Sequence, residues 1–118
     1  MYELMVEDSF DAAHALRGYE GPCENLHGHT WKVQVFLQGA KLNKIGLMAD
    51  FKVIKNDLTG VLDEFDHKLL NDINPFESEN PSSENLARII YIKMKKKIKA
   101  LSKVTVWEST TACATYWE

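Results

Sequence analysis

The sequence predicts a single α+β domain over residues 1–118, and three observations predict it. Residues of alternating polarity run through both ends of the chain, two apolar stripes of helical period lie between them, and no linker or internal repeat divides the whole. The coarse order is strand, strand, helix, helix, strand, strand. An antiparallel sheet carrying both helices on one face is the economical way to bury such a set.

From the N-terminus, Tyr2, Leu4, Val6 and Phe10 share one parity while Glu3, Glu7 and Asp11 share the other, the pattern of a half-buried strand. Arg17 to Glu24 holds two glycines and a proline and reads as a loop, with Cys23 near its end. Alternation returns between His29 and Leu37: His29, Trp31, Val33, Val35 and Leu37 face one way, Thr30, Lys32 and Gln34 the other. After a polar stretch from Gln38 to Lys44, Asp50 is placed to cap a helix. Phe51, Ile54, Leu58, Val61, Leu62 and Phe65 recur at three- and four-residue steps and predict a helix from about Phe51 to Glu64, weakened by Gly60.

Residues 71–82, with Pro75 and Pro81, read as a loop. Ser82-Ser83-Glu84 supplies a cap and a first-turn acid for a second helix, whose stripe is Leu86, Ile90, Met94, Ile98 and Leu101. Val104, Val106 and Glu108 before Ser109-Thr110-Thr111, and Ala112, Ala114 and Tyr116 after it, predict a closing hairpin.

With 118 residues and 45% apolar content the chain supports one modest core, and a chain this short that also builds a deep pocket tends to borrow walls from another copy. A net charge of -3 with both signs interspersed gives no footprint for nucleic acid. The dense basic run from Lys93 to Lys99 reads as a solvated face whose cations favour a helix C-terminus, an anion site being the alternative. No stretch reaches the roughly 18 apolar residues of a membrane span, and the N-terminus has no basic segment followed by an apolar one, so a cytoplasmic setting without membrane contact is expected. In that compartment Cys23 and Cys113 are expected as free thiols. Cys113 reads as a small buried residue, and Trp107 and Trp117 as packing or interface residues.

The chemistry concentrates in the histidines. His27 and His29 flank Gly28, so on an extended backbone both imidazoles point to one side, and Gly28 is expected to leave room for close approach. His14 lies just beyond the first strand, where pairing of the first two strands brings it beside them. Three neutral imidazoles with an open fourth position are the ligand pattern of catalytic zinc. His-x-His alone also arises incidentally on strands. The fourth histidine, His67, follows Asp66 after the first helix.

Cys23-x-x-x-His27-Gly28-His29, with His14 upstream, Asp66-His67, Pro81-Ser82-Ser83-Glu84 and the late Glu108, resembles the 6-pyruvoyl and 6-carboxytetrahydropterin synthases over nearly the whole chain, closest to the bacterial 6-carboxy type. The resemblance implies the tunnelling fold, in which the sheets of a trimer join into a barrel, two trimers form a homohexamer, and active sites lie at subunit interfaces. It implies Zn2+ held by His14, His27 and His29, Cys23 as general base, and Asp66 with His67 as a proton-relay dyad. Glu108 would hold the pterin ring, with Ser83 and Ser82 nearby. The substrate it implies is 7,8-dihydroneopterin triphosphate. The 6-carboxy product, formed with release of triphosphate and acetaldehyde, would serve queuosine and other deazapurine pathways. A metal lowers the barrier to moving protons along the substrate side chain, and a nearby cation favours the thiolate of Cys23. A carboxylate at Glu108 suits the paired N–H groups of a pterin edge.

Other readings stay open at this point. Cys23 as a fourth ligand would close the site and make it structural. His67 could close the first helix, Glu108 could face solvent, and Ser82-Ser83 could be a cap only. Within the family, pyruvoyl- and hydroxymethyl-forming members share the scaffold, and the folate-branch members carry a glutamate near the histidine pair in place of the cysteine. Cys23-Glu24 therefore raises the prospect of dual activity. A non-catalytic zinc- or pterin-binding module is the alternative outside enzymes.

Overall fold

The computed structural model describes residues 1–118 as a five-stranded sheet with two helices against one face. In chain order the elements are β1 (Tyr2–His14), β2 (His27–Gly39), α1 (Phe51–Leu62), β3 (Lys68–Leu69), α2 (Ser83–Lys97), β4 (Leu101–Trp107) and β5 (Cys113–Trp117). The sheet order is β3-β1-β2-β4-β5. All neighbours are antiparallel except β3, which runs parallel to β1 through Ala12 and Ala13. That short parallel edge departs from the purely antiparallel expectation. Two residues carry too little period to announce a strand.

The helix-facing side is built by parity. Val6, Phe10 and Ala12 of β1, Trp31, Val33, Val35 and Leu37 of β2, and Val104 and Val106 of β4 are buried against Ile54, Leu58, Val61 and Leu62 of α1 and Leu86, Ile90 and Met94 of α2. Asp50 caps α1 by accepting the Lys52 N–H at 2.8 Å, and the Ser82 hydroxyl caps α2 by accepting the Asn85 N–H at 3.2 Å. The opposite face has no helix over it and carries polar cross-strand pairs: Thr30 to Asp11, Gln34 to Glu7 and Gln38 to Glu3. A long two-stranded core of β1 and β2 makes the molecule elongated, 53 × 24 × 22 Å. No helix is long and apolar enough to cross a membrane.

Several expectations shift. His14 is the last residue of β1 rather than beyond it, and β2 begins at His27 rather than His29, because β1 and β2 stay paired to the final rung, His14 opposite His27. The stripe of α2 stops at Met94. Ile98 has an extended backbone just past the helix, and Leu101 opens β4. Leu101 still reaches the core because the ladder slips between Phe36 and Leu37, which sets Leu101 opposite Leu37 and leaves Ser102 to bond the Phe36 carbonyl. Cys113 is exposed rather than buried, since it alternates onto the uncovered face of β5; both cysteines are free thiols. The late lysines serve the solvated face: Lys95 donates to the carbonyls of Lys99 and Leu101 beyond the helix end, and Lys93 pairs with Glu64.

Candidate metal centre and active site

The buried parity of the sheet does not end with the core; it turns polar. His14 follows Phe10 and Ala12 along β1, His27 and His29 precede Trp31 along β2, and Glu108 follows Val104 and Val106 just past β4. All four therefore point to the same side at one end of the molecule. Trp107 pairs with Lys32, so the next step sets Glu108 alongside Trp31 and within reach of His29. The ligand-type atoms of His14, His27, His29 and Glu108 all lie within 4.8 Å of one another. Trp31, fully buried, backs the cluster with its ring edge-on to His14 and His29 at 4.8 Å and 5.2 Å, and its indole N–H donates to the Ala12 carbonyl.

Whether these residues suit a metal follows from their hydrogen bonds. His14 Nδ1 donates to the Pro81 carbonyl at 2.7 Å and His27 Nδ1 donates to the Asn25 carbonyl at 2.7 Å. A carbonyl only accepts, so in the neutral imidazoles both Nε2 atoms carry lone pairs. Those two Nε2 atoms nevertheless face each other at 3.1 Å, an arrangement that needs a cation between them, a proton or a metal. His29 Nε2 is buried without a hydrogen-bond partner, although Glu108 Oε1 stands 3.1 Å away. Glu108 Oε1 is also 3.2 Å from His14 Nε2. Three converging Nε2 atoms, two of them held as lone-pair donors by carbonyls behind the rings, fit a divalent metal.

Burial lowers the pKa of His14 and of His29 below the usual 6.5, with Glu108 opposing the shift in both cases. Both are thereby kept in the neutral, metal-binding form at neutral pH. The unfolded chain binds protons on these rings more readily than the folded one, so metal-free stability is lost as pH falls through and below about 6.5. Urea titrations in the presence of a chelator are expected to give a lower midpoint at about pH 5.5 than at about pH 7.5. An equal or higher midpoint on the acid side would contradict this. Asp66 is also lowered, but from 3.8, so its contribution falls outside that window.

A cavity of about 420 Å³ opens beside the cluster, lined by Pro22, Cys23, His27, His29, Glu108 and Ser109. Cys23 sits in a short 3₁₀ turn, Pro22–Glu24, and its carbonyl accepts the Leu16 N–H at 2.8 Å. Glu24, next to it, is exposed and outside the lining. Ser82 is occupied as the α2 cap and Ser83 is the first residue of that helix; neither lines the cavity. They adjoin the centre only through Pro81, whose carbonyl holds His14.

Asp66 and His67 form a second cluster. Asp66 Oδ2 is 3.0 Å from His67 Nδ1, and its other oxygen accepts the Asp11 N–H at 3.0 Å, the main cause of its lowered pKa. His67 lies well past the end of α1, which closes at Asp63, so it does not cap that helix. Its φ of 59° is a left-handed conformation that costs a non-glycine residue roughly 1–2 kcal/mol. The His67 N–H bond to the Asp11 carbonyl, 2.6 Å, helps hold it there, with the ring largely in solvent. His67 opens on a cleft of about 560 Å³ shared with Asp11, Gly28, Thr30 and Lys68. His29 is the one residue lining both clefts, so a single chain does not bring Cys23 and His67 together. Gly28 faces that second cleft with open space where a Cβ would stand; its nearest contact would be the Ala12 carbonyl at 4.0 Å, so no close approach within the chain explains the glycine.

The aiming carbonyls of Pro81 and Asn25 had no sequence signal, because every residue carries a carbonyl. The backing role of Trp31 had one: it is the next residue of the histidine parity.

Residues 3–118 match the family described as 6-pyruvoyl tetrahydropterin synthase. The chain is 35% identical to a 6-carboxy-5,6,7,8-tetrahydropterin synthase of Synechocystis, over 99% of this chain and 94% of that one. It is 38% identical to a dihydroneopterin monophosphate aldolase of Pyrococcus furiosus, over 89% and 88%. The 6-pyruvoyl tetrahydropterin synthase structure from Caenorhabditis elegans superposes with a TM-score of 0.91 at 30% identity, covering 99% of this chain and 95% of that one. With the family match spanning almost all of its length and the fold shared throughout, this chain belongs to the 6-pyruvoyl tetrahydropterin synthase family of pterin-processing enzymes.

Proposed function

We propose that the chain converts 7,8-dihydroneopterin triphosphate and water to 6-carboxy-5,6,7,8-tetrahydropterin, triphosphate and acetaldehyde, using zinc held by His14, His27 and His29. The observation that carries this reading is the position of Cys23, which lines the same cavity as His27, His29 and Glu108 while Glu24 stays outside it. The Synechocystis relative, matched over nearly both full lengths, supports the same product.

Bound zinc supplies a Lewis acid for the side-chain hydroxyls of the substrate, which acidifies the adjacent carbons. Cys23 takes a proton from the substrate side chain as general base. Asp66 accepts from His67 Nδ1 and fixes its tautomer, which leaves His67 Nε2 to carry the second proton. The Glu108 carboxylate, already in the cavity, accepts the paired N–H groups of the pterin ring. The ring gains the electrons that the side chain loses, and no nicotinamide or flavin is needed. Because His67 and Cys23 line separate clefts of one chain, the relay would serve the cleft of an adjacent copy, consistent with a homohexamer built as a dimer of trimers.

A second reading has its own support: Glu24 beside Cys23, and the P. furiosus aldolase relative, favour a hydroxymethyl pterin as a further product. Glu24→Ala is expected to abolish any hydroxymethyl product and to spare the 6-carboxy one, as read by mass spectrometry of the reaction mixture. Unchanged product ratios would remove dual activity. A non-catalytic binding module has no use for a cysteine in the cavity and an oriented Asp66–His67 pair.

A further inference from the structure

Beyond His14 the chain has left the strand ladder, yet the backbone of each of the next three residues is hydrogen-bonded to another part of the chain. The side-chain amide of Asn71 accepts the Ala15 N–H at 2.9 Å and donates to the Ala15 carbonyl at 2.9 Å. Asn80 treats Arg17 the same way, accepting its N–H at 2.8 Å and donating to its carbonyl at 2.9 Å. Between them, Leu16 donates its N–H to the Cys23 carbonyl at 2.8 Å. Each asparagine thus imitates a peptide unit of a neighbouring strand. An amide is suited to this because it presents a donor and an acceptor side by side, which a carboxylate or hydroxyl of the same reach does not.

The Asn80 grip connects directly to the metal centre. Asn80 is followed directly by Pro81, whose fixed φ carries the placement of Asn80 on to the carbonyl that receives His14 Nδ1–H at 2.7 Å. Asn85 pins the same segment by donating to the Asn80 carbonyl at 2.8 Å. The Arg17 guanidinium adds bonds to the carbonyls of Glu79 and Asn71. His14, Leu16 and Arg17 are therefore linked respectively to the imidazole aim, to the Cys23 turn and to the loop that supplies the aiming carbonyl.

We propose that Asn71 and Asn80 are positioning residues for the metal centre: their two-point grips on Ala15 and Arg17 hold the His14 imidazole and the Cys23 turn in one rigid piece. The proposal rests on the reading of His14 as a metal ligand and of Cys23 as the base. A clamp with this task sets metal affinity and geometry, whereas a loop tie without it affects stability alone.

The test uses the full chain with zinc and cobalt ions as probes. Zinc affinity is measured by chelator competition, ligand geometry by the visible bands of bound cobalt, and folding by the thermal midpoint of the metal-free protein. Asn80→Ala, which keeps the Pro81 carbonyl but loosens the segment that carries it, is expected to weaken zinc up to about 10-fold, the low end of what losing a partner that orients a ligand costs, and to shift the cobalt bands. Asn71→Ala is expected to act in the same direction. Asn80→Asp keeps the bond from the Arg17 N–H and should fall between native and Asn80→Ala. Ser78→Ala, which removes only a bond to the Pro75 carbonyl in the same loop, should match the native protein in zinc affinity and in cobalt bands. Native affinity and native cobalt bands in Asn80→Ala would overturn the clamp, as would an equal weakening in Ser78→Ala. If Asn80→Ala does not fold, native values in Asn80→Asp overturn it. Failure of the native protein itself to bind zinc would instead bring down the metal reading on which the clamp rests.

Discussion

Cys23→Ala protein is expected to bind zinc in the native stoichiometry and to lose turnover by ~10²–10⁴-fold, the range over which a positioned general base contributes. The expectation follows from where the residue lies. Cys23 lines the cavity with His27, His29 and Glu108, but the cluster whose ligand atoms converge within 4.8 Å consists of His14, His27, His29 and Glu108, without the thiol. Removing Sγ therefore leaves the converging Nε2 atoms and the carbonyls behind them in place. Metal analysis together with steady-state rates decides the matter. Loss of zinc in the variant would make Cys23 a fourth ligand and the site a closed, structural one, whereas native turnover would remove it from the chemistry altogether.

Substitution of His14, His27 or His29 is expected to act on the metal first. His14→Ala should weaken zinc by more than the roughly 10–100-fold that loss of an outer partner costs, and turnover should fall with occupancy. His14 is the most informative of the three because it is buried, bonded to the Pro81 carbonyl, packed edge-on against Trp31, and poised 3.1 Å from His27 Nε2. Its loss also leaves the buried-side Pro81 carbonyl without its donor, so the metal-free protein should be less stable than the corresponding His27→Ala protein, in which the donor is lost by the carbonyl of the exposed Asn25. Chelator competition and urea unfolding of both variants check the order. Equal zinc affinity in His14→Ala and the native protein would contradict the assignment of the centre.

Much of this arrangement was legible because the site continues a pattern. The parity that buries Val33 and Trp31 also carries His29 and His27, and the parity that buries Phe10 carries Ala12 and His14. Local period is a property of neighbours in sequence, so it can be read without knowing the fold. Its end points were less legible: β1 and β2 extend to the His14–His27 rung because pairing persists as long as both chains remain extended, which no single strand reveals.

What depends on register or on distant backbone was hidden. The approach of Glu108 to His14 and His29 follows from the alignment of β4 with β2, and the burial of Leu101 follows from the slip in that same ladder. The separation of His67 from Cys23 is likewise a matter of which cleft each opens on, and sequence proximity to motifs carries no such information. The asparagine grips on Ala15 and Arg17 bridge more than fifty positions of sequence. Asparagines in a loop ordinarily signal a turn, so nothing local distinguished these from turn formers.

The most direct test of the central claim is to incubate the zinc-loaded protein with 7,8-dihydroneopterin triphosphate and identify the products by mass spectrometry. Formation of 6-carboxy-5,6,7,8-tetrahydropterin with stoichiometric acetaldehyde and triphosphate is the predicted result; a pyruvoyl or hydroxymethyl pterin as the sole product, or no consumption of the substrate, would contradict it.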